Sequence, residues 1–166
     1  RDNQIMKTIK LHTAITNVFF TSDTHFNHEN IIKYCNRPFK SVREMNESMK
    51  ENWNSTIEEK DVVFILGDFL FRGGKGAWVR MLNELNGVKY LIQGNHDRYG
   101  DVPNNMFEKV SPIMNILIMG DDEIPEGQRI SLCHYPMLSW YQSHRGAWQL
   151  FGHVHGGFSN KPDTKT

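Results

Sequence analysis

Short apolar runs recur along the chain, and polar residues of one chemical kind follow most of them. Val18-Phe19-Phe20, Val62 to Leu66 and, but for Lys89, Val88 to Ile92 are apolar runs rich in β-branched or aromatic residues, the pattern of strands buried on both faces. Ile113 to Met119, Ile130 to Cys133 and Trp148 to Phe151 read as further strands, separated by turn sequences such as Met119-Gly120-Asp121-Asp122 and Glu126-Gly127-Gln128. Helical periodicity lies between the early strands. It covers Glu29 to Cys35, Ser41 to Ile57 with Ser41 as N-cap and Glu44 three residues on, and Gly76 to Leu85 closed by Gly87. Helices alternate with strands first and strands dominate later, which predicts two packed sheets with helices outside, the first parallel or mixed and the second more antiparallel.

Composition narrows the class. The 166 residues fit one domain, placed at 6–166, and 39% apolar with 23% charged residues is ordinary for a globular protein. Arg1 to Ile5 carry no initiator and are set aside as a non-native or disordered extension, with Met6 as a plausible start. Nineteen basic residues balance nineteen acidic ones, so no global positive field draws the chain to long duplex nucleic acid. Cys35 and Cys133 are too few for a disulfide framework, and no stretch reads as a signal peptide or a membrane span. A reducing cytoplasm is the expected setting. Nothing in the sequence points to an obligate protein partner or fixes an oligomeric state.

The chemistry sits at the strand exits. The first run ends in Asp23-Thr24-His25, the second in Gly67-Asp68, and the third in Gly94-Asn95-His96-Asp97; the later ones end in His134 and in Gly152-His153-Val154-His155. Each exit alone is within reach of chance, but five together are not. Ligands of α/β sheets bind outside the carboxyl ends of the strands, so the five can converge on one crevice. Asp23 with His25, and His153 with His155, stand two apart; on extended backbone each pair would point to one side. Glycines before Asp68, Asn95 and His153 allow the tight turns that aim these side chains.

These motifs resemble the calcineurin-like metallophosphoesterase superfamily, and within it the small single-domain bacterial and phage enzymes. The resemblance runs from Phe19 to Gly157 and includes Ser22-Asp23-Thr24-His25-Phe26-Asn27-His28-Glu29-Asn30-Ile31-Ile32. It implies a four-layer α/β/β/α sandwich of two mixed sheets flanked by helices. It also implies that Asp23, His25 and His155 bind one metal, that Asn95, His134 and His153 bind another, and that Asp68 bridges both. The donors suit divalent transition metals, Mn²⁺ first, with Fe, Zn²⁺, Ni²⁺ or Co²⁺ as alternatives. Two such ions, held by these residues, could supply a bridging hydroxide as the nucleophile toward a phosphate ester. His96 is expected beside the phosphoryl group as the catalytic side chain, with Asp97 orienting it. Arg37, Arg72, Arg98 and Arg145 follow motif residues and are candidates to fork onto a phosphate, with surface ion pairs the equal alternative; His28 and His144 are weaker candidates. Trp140-Tyr141 could stack a base, although packing is the commoner use. Cys133 should face away from the metals, into the core.

The activity implied is phosphodiester hydrolysis on a nucleotide or nucleic-acid-type substrate, such as a strand end. Phosphomonoester hydrolysis, or a silent metal-binding scaffold of the same fold, are the alternatives. Relatives usually continue into a further strand after the last motif, whereas here Gly156 to Thr166 are polar and lack a strand pattern.

Overall fold

The computed structural model describes residues 8–120 and 125–157; the first five residues and most of the polar tail lie outside that range. The strands are β1 (Ile9–His12), β2 (Val18–Thr21), β3 (Val62–Ile65), β4 (Val88–Ile92), β5 (Lys109–Ser111), β6 (Ile113–Met119), β7 (Gln128–Cys133) and β8 (Trp148–Leu150). The helices are α1 (Glu29–Tyr34), α2 (Val42–Thr56) and α3 (Gly74–Asn83).

Two four-stranded sheets form, in the orders β2-β3-β4-β5 and β1-β6-β7-β8. The second is mixed, since β6 and β7 are antiparallel while β1 pairs parallel with β6 and β8 parallel with β7. The first is parallel throughout rather than mixed. Its links each return the chain to the same end, through α1 and α2, through α3, and through residues 93–108, so no hairpin is available to reverse a strand. All three α-helices of the described residues therefore belong to the first sheet's crossovers.

Period-two alternation divides the interior. On β3, Val63 and Ile65 face Trp53, Trp78, Met81 and Leu82 of the helices. Val62 and Phe64 face Met114, Ile116, Ile130 and Leu132 of the other sheet. Phe64 stacks with Phe20 and Tyr90, its neighbours across the sheet, at 5.6 and 4.7 Å between centroids. β3 is buried at every position, as its apolar run predicts, but β2 is only half-buried because it lies at the sheet's edge.

Ser41 caps α2 by accepting from the Glu44 N–H at 3.2 Å, and the Glu44 carboxylate accepts from the N–H of Lys40, one residue before the cap. α3 starts two residues before the expected Gly76, after Gly73 in the left-handed region at φ 111°. Gly87 ends the following turn at φ 92°, where a Cβ would press on Ile57 and Val63.

Candidate metal centre

Every crossover of the parallel sheet delivers its loop to the same end, and there the loops bond to one another. The N–H groups of Asp23, His25 and Phe26 donate to the carbonyls of Gly67, Asp68 and Phe69 at 2.9 to 3.0 Å. The Thr24 hydroxyl adds a bond to the Phe69 carbonyl at 2.8 Å. The last loop joins through the Gly152 N–H to the His134 carbonyl, 3.0 Å, and through the His153 N–H to the Asp23 carboxylate, 3.0 and 3.1 Å.

This bonding sets two donor groups side by side, Asp23 with His25 and His155, and Asp68 with His134 and His153. His25 Nε2 is 3.3 Å from His155 Nε2, and Asn95 Oδ1 is 3.0 Å from both His134 Nε2 and His153 Nδ1. One oxygen, Asp68 Oδ2, lies 3.6 Å from His25 Nε2 and 3.5 Å from His134 Nε2, between the two groups. Donors each about 2.1 Å from a common ion stand roughly 3.0 to 3.4 Å apart, so the spacings fit metal coordination. All seven sequence-predicted ligands are in this cluster.

Outer contacts fix which nitrogen faces inward. The His134 ring, fully buried, places Nδ1 2.7 Å from the Leu66 carbonyl, so Nδ1–H donates and Nε2 is free for an ion. His155 Nδ1 meets Cys35 Sγ at 3.3 Å and His25 Nδ1 meets His28 Nδ1 at 3.5 Å, which turn both Nε2 atoms to the centre. Burial lowers the His25 pKa to about 3 against the opposing pull of Asp68, with neighbouring imidazoles adding to the fall, so its ring is neutral near pH 7. Burial pushes the Asp68 carboxyl up, but bonds from His134 and the His96 N–H outweigh it and leave the pKa lowered.

Asp23, His25, Asp68, His153 and His155 all adopt positive φ, between 46° and 71°. The i, i+2 pairs therefore meet through left-handed kinks, not through the alternation of an extended segment. Such conformations cost roughly 1–3 kcal/mol each and persist only where surrounding bonds enforce them. The glycines act in two ways. Gly67 supplies both a turn at φ 89° and room beside His134 Nδ1, whereas Gly94 and Gly152 supply room alone: a Cβ at Gly94 would strike Asp68 Oδ1, and one at Gly152 would strike Asp23 Oδ2.

The remaining candidates separate. The His96 ring stands 5.4 Å from that of His25 and lines a cavity of about 610 Å³ beside the donors. Asp97 does not hold that ring: its carboxylate accepts the N–H groups of Asp68, Phe69 and Gly94 at 2.8 to 3.0 Å, fixing the backbone around two ligand loops. Arg37 does not face a phosphate either. Its guanidinium donates to the Asp23 and Thr24 carbonyls at 2.6 and 2.7 Å beneath the first ligand loop. His28 stacks on Phe71 at 3.7 Å and backs His25. Arg72 lines the cavity, while Arg98, His144 and Arg145 are exposed and do not. The Trp140 indole donates to the Ala147 carbonyl within its own loop, and Cys133 is buried as expected.

Sequence reasoning passed over Cys35 behind His155, Phe71 under His28, and Tyr135, whose ring meets those of His134 and His153 at 5.0 and 4.7 Å. Tyr135 directly follows a ligand and could have been noticed; Cys35 lies 120 residues from its partner, beyond any local signal.

No helix among the described residues is long and apolar enough to cross a membrane. The chain is 39% identical to the uncharacterized protein MJ1445 of Methanocaldococcus jannaschii, over 86% of this chain and 71% of that protein. It is 27% identical to the Gene 66 protein of Mycobacterium phage L5, over 85% and 78%. Its fold is similar to the crystal structure of AQ665, a protein of unknown function from Aquifex aeolicus, with TM-score 0.58 and 23% identity over 83% of this chain and 90% of that one. The family model for calcineurin-like phosphoesterases matches residues 16–157, the span that carries all seven metal-competent side chains, and the chain belongs to that family of phosphate-ester hydrolases.

Proposed function

We propose that the protein is a phosphodiesterase with two divalent metal ions, acting on a nucleotide or nucleic-acid-type ester. The observation that carries this reading is the position of Asp68 Oδ2 between His25 and His134, each belonging to a different donor group. Asp23, His25 and His155 would hold one ion and Asn95, His134 and His153 the other, with Asp68 shared. The donor set is nitrogen and oxygen only, which suits manganese and the neighbouring transition metals. When bound, such ions lower the pKa of water and polarise phosphoryl oxygens.

The chain's own residues then orient and protonate. The His96 backbone donates to Asp68 Oδ1 at 2.8 Å, which fixes the start of its side chain relative to the shared carboxylate. Its imidazole, beside His25 at the edge of the cavity, is placed to give a proton to the leaving oxygen or to stabilise charge on the phosphoryl group. Both cysteines are free thiols, which suits a reducing cytoplasm.

The test is hydrolysis of bis-p-nitrophenyl phosphate with and without added Mn²⁺, compared with the monoester. Turnover that requires metal, stops with chelator and favours the diester is expected. Faster monoester cleavage would make the protein a phosphatase. Metal binding with no turnover of either ester would make it a silent scaffold.

A further inference from the structure

We propose that the cavity beside the donor groups is a nucleoside subsite, in which Tyr34 stacks a base and Arg72 neutralises phosphate charge. The proposal rests on the phosphoesterase reading, because the floor of the cavity is made by His25, His96 and His155. A group joined to a phosphate at the donors would extend into it. At about 610 Å³ the space is in the range of roughly 300–1,000 Å³ usual for small-ligand sites.

The wall facing the donors comes from α1 and from the loop after β3, and its chemistry selects the occupant. Tyr34 is 72% exposed, and among the described residues its one close ring neighbour is His28 at 6.2 Å and 82°. A large aromatic ring left in solvent at the rim of a cavity is a stacking platform that any base can use. Phe71 is already covered by His28, and the Arg72 guanidinium lies 5.2 Å from the Phe71 centroid, a cation–π contact that holds the charge at the wall. Among the described residues no carboxylate or lysine lines the cavity, and Arg72 is the one permanent cation there. Asn30 adds an amide with both donors and acceptors, and among the described residues Ile31 is the only aliphatic side chain lining the space, too little for a lipid tail. An anion carrying a flat, polar-edged ring satisfies this wall better than a bare sugar phosphate does.

The experiment is calorimetric titration of the Mn²⁺-loaded protein with inorganic phosphate, ribose 5-phosphate and thymidine 5′-monophosphate. The nucleotide should bind about 5- to 150-fold more tightly than ribose 5-phosphate, the range that stacking of one base provides. Tyr34→Ala should remove that advantage and leave the two ligands nearly equal, and Arg72→Met should weaken both. Since Tyr34 is mostly in solvent, its loss does not threaten folding. Equal affinity of nucleotide and sugar phosphate for the unaltered protein, or a base advantage that survives Tyr34→Ala, would overturn the proposal. Turnover of bis-p-nitrophenyl phosphate, measured in parallel, reports on the catalytic reading independently of these affinities.

Discussion

Arg37 shows how a single residue can support a candidate donor group without joining it. Its fork holds the carbonyls of Asp23 and Thr24, so Arg37→Lys keeps the charge but loses the planar pair of donors. Metal affinity should fall about 10- to 100-fold, as for other residues that support ligands, and metal titration would read it. Its role was not legible in the sequence, because an arginine after a motif looks the same whether it points at a phosphate or at the chain itself. Asp97 misled for a related reason: its neighbour His96 suggested a side-chain pair, whereas backbone donors claim both its oxygens. His96→Ala should retain two ions by elemental analysis while kcat falls by a factor on the order of 10² to 10⁴. A variant that loses an ion would instead place His96 among the ligands. His25 provides a pH prediction for the metal-free protein. Its folded pKa, about 3, is below the usual 6.5, so the unfolded chain binds more protons between those values. Its contribution to stability is complete above pH 6.5 and is lost as pH falls towards 3. The melting temperature in chelator should drop across that window, and His25→Asn should flatten the drop.

At the scale of elements, the sequence was most informative where apolar runs were long. Ile113–Met119 has the bounds its apolar pattern predicts, and β3 and β4 follow theirs to within a residue. β1 escaped because Ile-Lys-Leu-His is only four residues of alternation, and its parallel partner β6 lies about a hundred positions away. β5, three residues long, is defined by pairing with β4 and not by any pattern of its own. The N-terminus of α2 was legible because a cap is a local device. Ser41→Ala should cost about 1 kcal/mol, measurable by urea denaturation, with the metal donors unaffected. Trp78 anchors α3 against Phe69 and Phe107 and is 2% exposed, so Trp78→Ala should cost about 3–5 kcal/mol by the same measurement.

For the whole molecule, the arrangement of the site follows from the parallel first sheet, which sends each crossover to one end, and from the second sheet, which adds His134 and the last loop there. The strand exits announced the donors, but the left-handed kinks that aim them depend on bonds between loops, which no single stretch of sequence records. The last loop has a property that neither sheet explains. His153 faces one donor group and His155 the other, although only Val154 separates them. On the two-ion reading, an ion at either group would hold this three-residue span, already tied to Asp23 through the His153 N–H, and so would fix the donor offered to the other ion. Occupancy at the two positions should then be linked, and linkage is reciprocal: whatever factor the first ion lends the second, the second returns. Stepwise constants should differ from those of independent sites by about 5- to 150-fold, the usual size of such coupling. His155→Ala, which spares every donor of the second group, should weaken that group's ion as well, so that the protein fills and empties as a pair.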